Sequence, residues 1–337
     1  MAKNETGECW TISVTQPGPP SALQWMRDQI KEPGESDVVI RQHAIGLNYH
    51  DVYVRSGVYR TMPFPGVLGI EAVGVVESAG SQVRGIAVGD RVGYITAAYG
   101  AYATRRSLPA HLLVPVPDAV PFDTAAAALL KGLTADMLLT RLRDVGPGST
   151  VVVHAAAGGV GQMLTQMAQI RGASVIAAVG SQAKAELVRA LGCERVAVYG
   201  DDRLIEIVMH ASDGRGADIV FDGVGAATFD QSLACLKSFG QLALFGQASG
   251  PVPAISPARL AERSLAVWRP VVFHHASDLP RYRASAARLF AAIGSGVLKV
   301  QDPARFALRD AAAAHEMLEK GATTGSTVLT TCDHQAR

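Results

Sequence analysis

The spacing of apolar residues changes character along this chain, and each change marks a different kind of element. Up to about residue 125 the apolar runs are short, as in Val38–Ile40, Ala72–Val76 and Arg91–Tyr94, with Pro-Gly or Gly-Asp punctuation between them. Gly66, Gly69, Gly74, Gly80, Gly85, Gly89 and Gly93 fall too densely for helices, so this region reads as β-rich. Phe122–Leu130 and Gly132–Leu142 then read as a pair of Ala/Leu-rich helices, broken at Gly146-Pro147-Gly148.

From Thr150 the pattern alternates. Thr150–Val153 is a β-branched run of the kind that forms a strand buried on both faces. Gln162–Ile170 carries Met163, Met167 and Ile170 at helical spacing and stops at Gly172, and Ser174–Val179 is a second apolar run. Strand, small-residue turn, helix and strand make a parallel βαβ unit. The alternation continues with a helix over Gln182–Leu191, a strand over Arg195–Val198, a helix over Arg203–His210, a strand over Ala217–Phe221, a helix over Phe229–Ser238 and a strand over Gln241–Phe245. Such a series predicts a doubly wound parallel sheet. Past Pro270 the pattern is a helix over Arg281–Ile293, another over Ala311–Lys320 and a short strand over Ser326–Thr330. That tail is too short to be a domain and is expected to fold back on the N-terminal β region. The expected fold class is therefore α/β. A discontinuous β-rich domain (1–130 and 271–337) receives an inserted Rossmann domain (131–270), with substrate beyond the carboxyl ends of the parallel strands.

The small residues after Val153 suggest what the inserted domain binds. Ala156-x-Gly158-x-x-Gly161 follows a predicted strand and opens a predicted helix, the context in which a glycine pattern indicates a dinucleotide. The pyrophosphate would rest on free N–H groups at the helix start, near Ala157, Gly158, Gly159 and Val160. An NAD site carries Asp or Glu about 20 residues further on, at the ribose 2′-hydroxyl. Here the stretch is Gly180-Ser181-Gln182-Ala183-Lys184, with no acid before Glu186. A hydroxyl and a lysine suit a 2′-phosphate, so NADP(H) is the expected cofactor. A solvated Lys184 on the next helix is the plainer alternative.

Composition narrows the class. Hydrophobic residues are 48% and charged residues 18%, an ordinary globular balance, and the net charge is +1 with no basic run. Nucleic acid is not expected as the main partner, nor is an anionic membrane surface. No apolar stretch reaches membrane-spanning length and the opening MAKNETGECW lacks a signal-peptide plan, so cytoplasmic residence is expected. Cys9, Cys193, Cys235 and Cys332 are scattered, which fits small buried hydrophobes better than disulfides or a zinc lobe.

Several short motifs carry a family resemblance. Gly46-Leu47-Asn48-Tyr49-His50-Asp51, Arg55-Ser56-Gly57, the run Gly69 to Gly80, Lys131-Gly132-Leu133-Thr134, His154 to Gly161, Ala314-His315-Glu316 and Gly325-Ser326 stand in order along nearly the whole chain. Together they resemble the zinc-free quinone oxidoreductases, the ζ-crystallin group of the medium-chain dehydrogenase/reductase superfamily. The resemblance implies a GroES-like catalytic domain beside the Rossmann domain. Zinc members place a liganding histidine where this chain has Ile70, and a cysteine where it has Asn48. A catalytic zinc needs three protein donors, and neither His43 nor His50 has a paired ligand at usable spacing, so no metal is expected. Without a Lewis acid the site suits acceptors that take hydride readily, namely quinones and enones.

By the same resemblance Asn48 (amide) and Tyr53 (phenol) are the candidate catalytic groups, as donors to a developing oxyanion. The plainer reading is that Tyr53 packs and Asn48 caps a turn. The implied cofactor contacts are Asn48, Tyr49, Asp51, Thr134, Tyr199 beside the 2′-phosphate, Val224 by its backbone, Phe245, Gly246, Gln247, Trp268 and Arg269. At Gly223 the expected side-chain donor is missing. His154 reads as packed, and His274-His275 as structural, on a strand that would point them to opposite faces. The apolar runs Gln241–Phe245 and Ser264–Trp268 near the sheet's end invite pairing with a copy, so a two-fold homodimer is expected. Two rival functions stay open. One is enone or enoyl-thioester reduction, for which Arg105-Arg106 is the only hint of a carrier patch. The other is a non-enzymatic structural or RNA-binding role.

Overall fold

The computed structural model describes residues 7–30, 32–201 and 203–331; Cys332 and the first six residues lie outside this set. The N-terminal elements are β1 (Glu8–Val14), β2 (Gln24–Gln29), β3 (Asp37–Leu47), α1 (Tyr49–Arg55), β4 (Gly66–Val67), β5 (Glu71–Ala79), β6 (Arg91–Ile95), β7 (Arg105–Pro109) and β8 (Val114–Pro115). The long helix α2 (Phe122–Met137) precedes an alternating series: β9 (Thr150–Val153), α3 (Gly159–Ile170), β10 (Ser174–Val179), α4 (Gln182–Ala190), β11 (Arg195–Val198), α5 (Leu204–Ala211), β12 (Ala217–Asp222), α6 (Phe229–Cys235), β13 (Leu236–Leu244), α7 (Ala258–Ala261) and β14 (Ala266–Trp268). The chain closes with α8 (Val272–Ala276), α9 (Leu279–Gly294), β15 (Ala304–Ala307), α10 (Ala311–Glu319) and β16 (Thr327–Thr330).

Two compact units result, one holding residues up to Leu130 and from Ala276, the other Lys131–His275. In the first unit β15, β16, β3, β5, β6 and β8 form one sheet in that order, with β7 also on β3, and β2-β1-β4 form a smaller one. The C-terminal strand β16 pairs antiparallel with β3, Thr327 opposite Leu47, so the tail does join the β-rich region. Ile12, Ile40, Ile45, Leu68, Tyr94, Tyr102 and Leu329 belong to its core.

In the second unit all strand pairs are parallel, in the order β11-β10-β9-β12-β13-β14. The first and fourth strands to be laid down, β9 and β12, are neighbours. The order in which strands are added therefore reverses there, and ligands of such sheets bind beyond the carboxyl ends at that point. Val152, Ile176, Val220 and Leu242 bury the sheet centre against Leu204, Val208 and Phe229 from the helices.

The structure corrects several local expectations. The helical pair is one helix, α2, running through Gly132 into a π-helical turn at Leu138–Leu142. One interior glycine costs about 1 kcal/mol, too little to break a helix whose neighbours are alanine and leucine. The helix from Phe229 ends at Cys235 rather than Ser238, and β13 starts at once. Arg263 holds the junction by donating to the carbonyls of Leu233 and Leu236. α9 begins two residues before Arg281 because Asp278 caps it, its side chain accepting from the Arg281 N–H. His274 and His275 lie on α8, not on a strand; two residues are too few to show a period, and His275 is buried 3.6 Å from Asp136. Cys9, Cys193 and Cys235 are buried free thiols.

Candidate functional site

In the second unit the site is built on the turn between β9 and α3. Ala155 sits at φ +49°, unusual for a residue with a side chain, and bends the chain out of β9. Gly158 is the residue before α3, and the first-turn N–H groups of a helix have no partner within it. A Cβ on Gly161 would stand 2.3 Å from the Ala155 carbonyl oxygen, so only glycine lets this helix start seat on the turn. Small residues and open N–H groups at the switch point fit a pyrophosphate. Ala157 is buried, leaving its backbone as its means of contact, while Gly158, Gly159 and Val160 are half-buried.

Below the turn, the Tyr199 hydroxyl accepts from the Ala155 N–H at 2.9 Å and lies 3.1 Å from His154 Nδ1. The phenol accepts from Ala155 and can still give its own hydrogen to Nδ1 or accept one from it, so this contact serves either tautomer of His154. Burial holds the His154 pKa below its ordinary value, so the ring is neutral. Tyr199 thus pins the turn with its hydroxyl, a task the resemblance did not imply.

At the end of β10, Ser181 caps α4, its Oγ accepting from the Lys184 N–H at 3.3 Å. Gly180 leaves open space, and Lys184 is half-buried on the same turn of helix. At the end of β12 the fully buried Asp222 carboxylate accepts from the N–H groups of Val224 and Gly225 and from the hydroxyls of Thr228 and Ser232. This ties Val224 into a rigid turn. The Phe245 ring occupies the place a side chain at 223 would take, 2.9 Å from a Cβ built there, which explains the absent donor. Arg269 donates to the carbonyls of Leu244 and Gly246 and to Gln247 Oε1, joining the Phe245–Gln247 turn to the segment after Trp268. Thr134 is buried within α2.

In the first unit the candidate groups lie on α1. Asp51 closes the start of this helix by accepting from the Asn48 N–H at 3.0 Å, and also accepts from the Tyr102 hydroxyl at 3.3 Å. Asp51 is fully buried, and its carboxylate fixes the start of α1. The Tyr49 hydroxyl donates to the Leu318 carbonyl at 2.9 Å and secures α1 to α10 instead. Asn48 differs most from expectation. Its Nδ2 donates to Glu71 Oε1 at 2.8 Å and to the Gly46 carbonyl at 3.2 Å. Both partners are acceptors, so the amide orientation is settled and its two hydrogens are spent. Asn48 therefore offers a carbonyl acceptor rather than an oxyanion donor. Glu71 also accepts from the Leu130 N–H, and a Cβ on Gly46 would collide with it at 2.1 Å. Beside it Ile70 is 1% exposed, an aliphatic chain where a ligand histidine would stand. Among the described residues no group of three or more His, Cys, Asp or Glu is placed to hold a metal ion.

Tyr53 is buried, its ring against Tyr59 at 4.9 Å and Tyr49 at 5.9 Å. Sequence reasoning missed Tyr59, Tyr99, Tyr102 and Glu71, which lie outside the motifs or, like Glu71, inside one without a visible partner. Arg105 and Arg106 form no carrier patch. Arg105 is held by Glu77 and the Glu8 carbonyl, and Arg106 by Tyr94 and the carbonyls of Ala98 and Tyr99.

A parallel sheet of this order with a small-residue turn at its switch point, and a GroES-like unit of mainly antiparallel sheet, define the class: an oxidoreductase of two units. Residues 34–118 match the alcohol dehydrogenase GroES-like domain, and residues 159–288 the zinc-binding dehydrogenase family. The chain is 41% identical over 313 residues to a quinone oxidoreductase of Pseudomonas aeruginosa, covering 93% of this chain and 96% of the relative. It is 36% identical to the 2-haloacrylate reductase of a Burkholderia species, over 94% of this chain and 97% of that one. The crystal structure of Escherichia coli quinone oxidoreductase complexed with NADPH superposes with a TM-score of 0.92 at 37% identity, covering 95% of this chain and 99% of the other. The chain belongs to the ζ-crystallin-like quinone oxidoreductases of the medium-chain dehydrogenase/reductase superfamily.

Proposed function

We propose that this chain is an NADPH-dependent quinone oxidoreductase that needs no metal. The observation that carries the reading is the pair Ile70 and Asn48. One has no lone pair, and the other has its amide nitrogen engaged with Glu71, so the place where zinc members polarise an alcohol has no donor set. Alcohol oxidation needs that polarisation; a quinone is already electrophilic.

The residues fit the cofactor. The open helix start at Gly158–Gly161 suits the pyrophosphate, and Ser181 with Lys184, in a stretch with no acid before Glu186, suits a 2′-phosphate. The relative solved with NADPH supports the same choice. Bound there, the dihydronicotinamide supplies a hydride. The protein's part is to orient the ring through the Phe245–Gln247 turn and Arg269, to exclude water, and to offer Tyr53 as a donor to the oxygen that gains charge. The 2-haloacrylate reductase supports a second acceptor class, activated carbon–carbon double bonds.

The test is a panel of ortho- and para-quinones, enones and primary alcohols, followed by loss of NADPH absorbance with and without a chelator. Quinone-dependent oxidation unaffected by chelator is expected. Turnover confined to alcohols, or abolished by chelator, would overturn the reading.

A further inference from the structure

A chain of hydrogen bonds runs along the first unit from α1 to water. His50 Nε2 lies 2.8 Å from the Tyr99 hydroxyl, which lies 2.5 Å from Thr61 Oγ1, and Thr61 is exposed. The inner end is among rings. His50 stacks on Tyr99 at 5.9 Å and meets the edge of Tyr59 at 5.5 Å, and Tyr59 packs on Tyr53. The chain thus begins one ring away from the phenol assigned to the acceptor oxygen, with Tyr59 between His50 and Tyr53.

The segment that presents Tyr99 is braced. Arg106 donates to the carbonyls of Ala98 and Tyr99 at 2.7 and 2.8 Å and to the Tyr94 hydroxyl at 3.2 Å. Tyr94 in turn donates to the buried Gln42, whose amide nitrogen holds the carbonyls of Ala101 and Ala103. Such bracing gives Tyr99 a fixed position against His50, which a relay requires and a solvated tyrosine does not.

Hydride addition to a quinone leaves negative charge on oxygen, and completing the hydroquinone takes one proton from elsewhere. A phenol such as Tyr53 that gives up its proton has to be reprotonated before the next turnover, so a path for protons from water is needed. We propose that His50, Tyr99 and Thr61 carry that proton from water to the reduced acceptor, an inference that rests on the quinone-reductase reading above. An imidazole N–H bond breaks as the hydroquinone O–H bond forms. His50 Nε2 takes the Tyr99 proton, the Tyr99 oxygen takes the Thr61 proton, and Thr61 is resupplied by water. In sum, quinone, NADPH and one solvent proton give hydroquinone and NADP⁺. Burial holds the His50 pKa down to about 4, so the ring works as a neutral relay, giving at one nitrogen and receiving at the other.

Tyr99→Phe keeps the ring and removes only the hydroxyl. In this variant kcat with a quinone should fall about tenfold or more while KM for NADPH stays unchanged. Proton delivery then becomes the slow step. The solvent deuterium effect on kcat should grow, and the effect of 4-deuterated NADPH should shrink. Thr61→Val should move both in the same directions by less. Independently of turnover, the ¹⁵N resonance of His50 Nε2 should shift in Tyr99→Phe. A wild-type kcat, or a slower enzyme with both isotope effects unaltered, would overturn the relay, as would an unmoved nitrogen resonance. An unsubstituted chain inert toward every quinone would instead defeat the functional reading itself.

Discussion

At the scale of single residues, two positions test the proposed cofactor site. Lys184 places a positive charge on the first turn of α4 beside the Ser181 cap. Lys184→Glu should weaken NADPH about tenfold or more and leave NADH nearly unaffected, because a carboxylate repels a 2′-phosphate and accepts from a hydroxyl. A fluorescence titration with both coenzymes reads this directly, and equal losses for the two would reject the assignment. Gly161 is constrained by packing. Its missing Cβ would press on the Ala155 carbonyl at 2.3 Å and the Ala156 Cα at 2.7 Å, both backbone atoms that cannot step aside. Gly161→Ala should cost about 1–3 kcal/mol, seen as a lower Tm, and should impair NADPH binding by shifting the turn.

At the scale of elements, α1 depends on α10. Arg55, 1% exposed, makes a two-pronged contact with Glu319 at 2.7 and 3.0 Å; Tyr49 donates to the Leu318 carbonyl; and Tyr102 joins Asp51 to His315 at 2.9 Å. Glu319→Ala strands a buried guanidinium and should destabilise the chain by about 2–3 kcal/mol in denaturant unfolding, less than a fully buried pair because Glu319 is partly exposed. Glu319→Gln, which keeps an acceptor, should lose less. The same elements set the acid response. Burial lowers His315 to about 3, helped by the Arg55 charge, and burial lowers His50 to about 4. Both are ordinarily near 6.5, so below that pH the unfolded chain binds protons the folded one refuses. The contribution of these two groups to stability should be level above pH 6.5 and fall on acidification by about 1.4 kcal/mol per pH unit for each histidine, until the folded values are reached. His315→Asn should flatten that slope by up to one proton, measurable as unfolding free energy against pH.

For the molecule as a whole, β14 is the last strand in the order of its sheet, and Phe239, Trp268 and Val271 stay exposed in that unit. Such an edge pairs readily with a copy of itself. Light scattering should give about twice the chain mass of 35.3 kDa, and a mass equal to one chain would exclude the dimer. No helix of the described residues is long and apolar enough to cross a membrane.

What the amino-acid order determined by itself was local and periodic. The β-branched run before Ala155, the small residues after it and the alternation up to Phe245 declare the parallel sheet and its switch point, because strand and helix periods differ and each residue type has a backbone preference. The substitution of Ile70 is equally plain, since a missing lone pair shows in one letter. Tertiary structure alone decided everything that depends on who meets whom. Glu71, 23 residues from Asn48, takes one of its amide hydrogens; Tyr99 reaches His50 across 49 residues; and Tyr199 reaches under the glycine turn to Ala155 across 44. A side-chain hydrogen bond acts over about 3 Å in space and leaves no trace in spacing along the chain, so roles that rest on such bonds emerge only once the sheets bring their strands together.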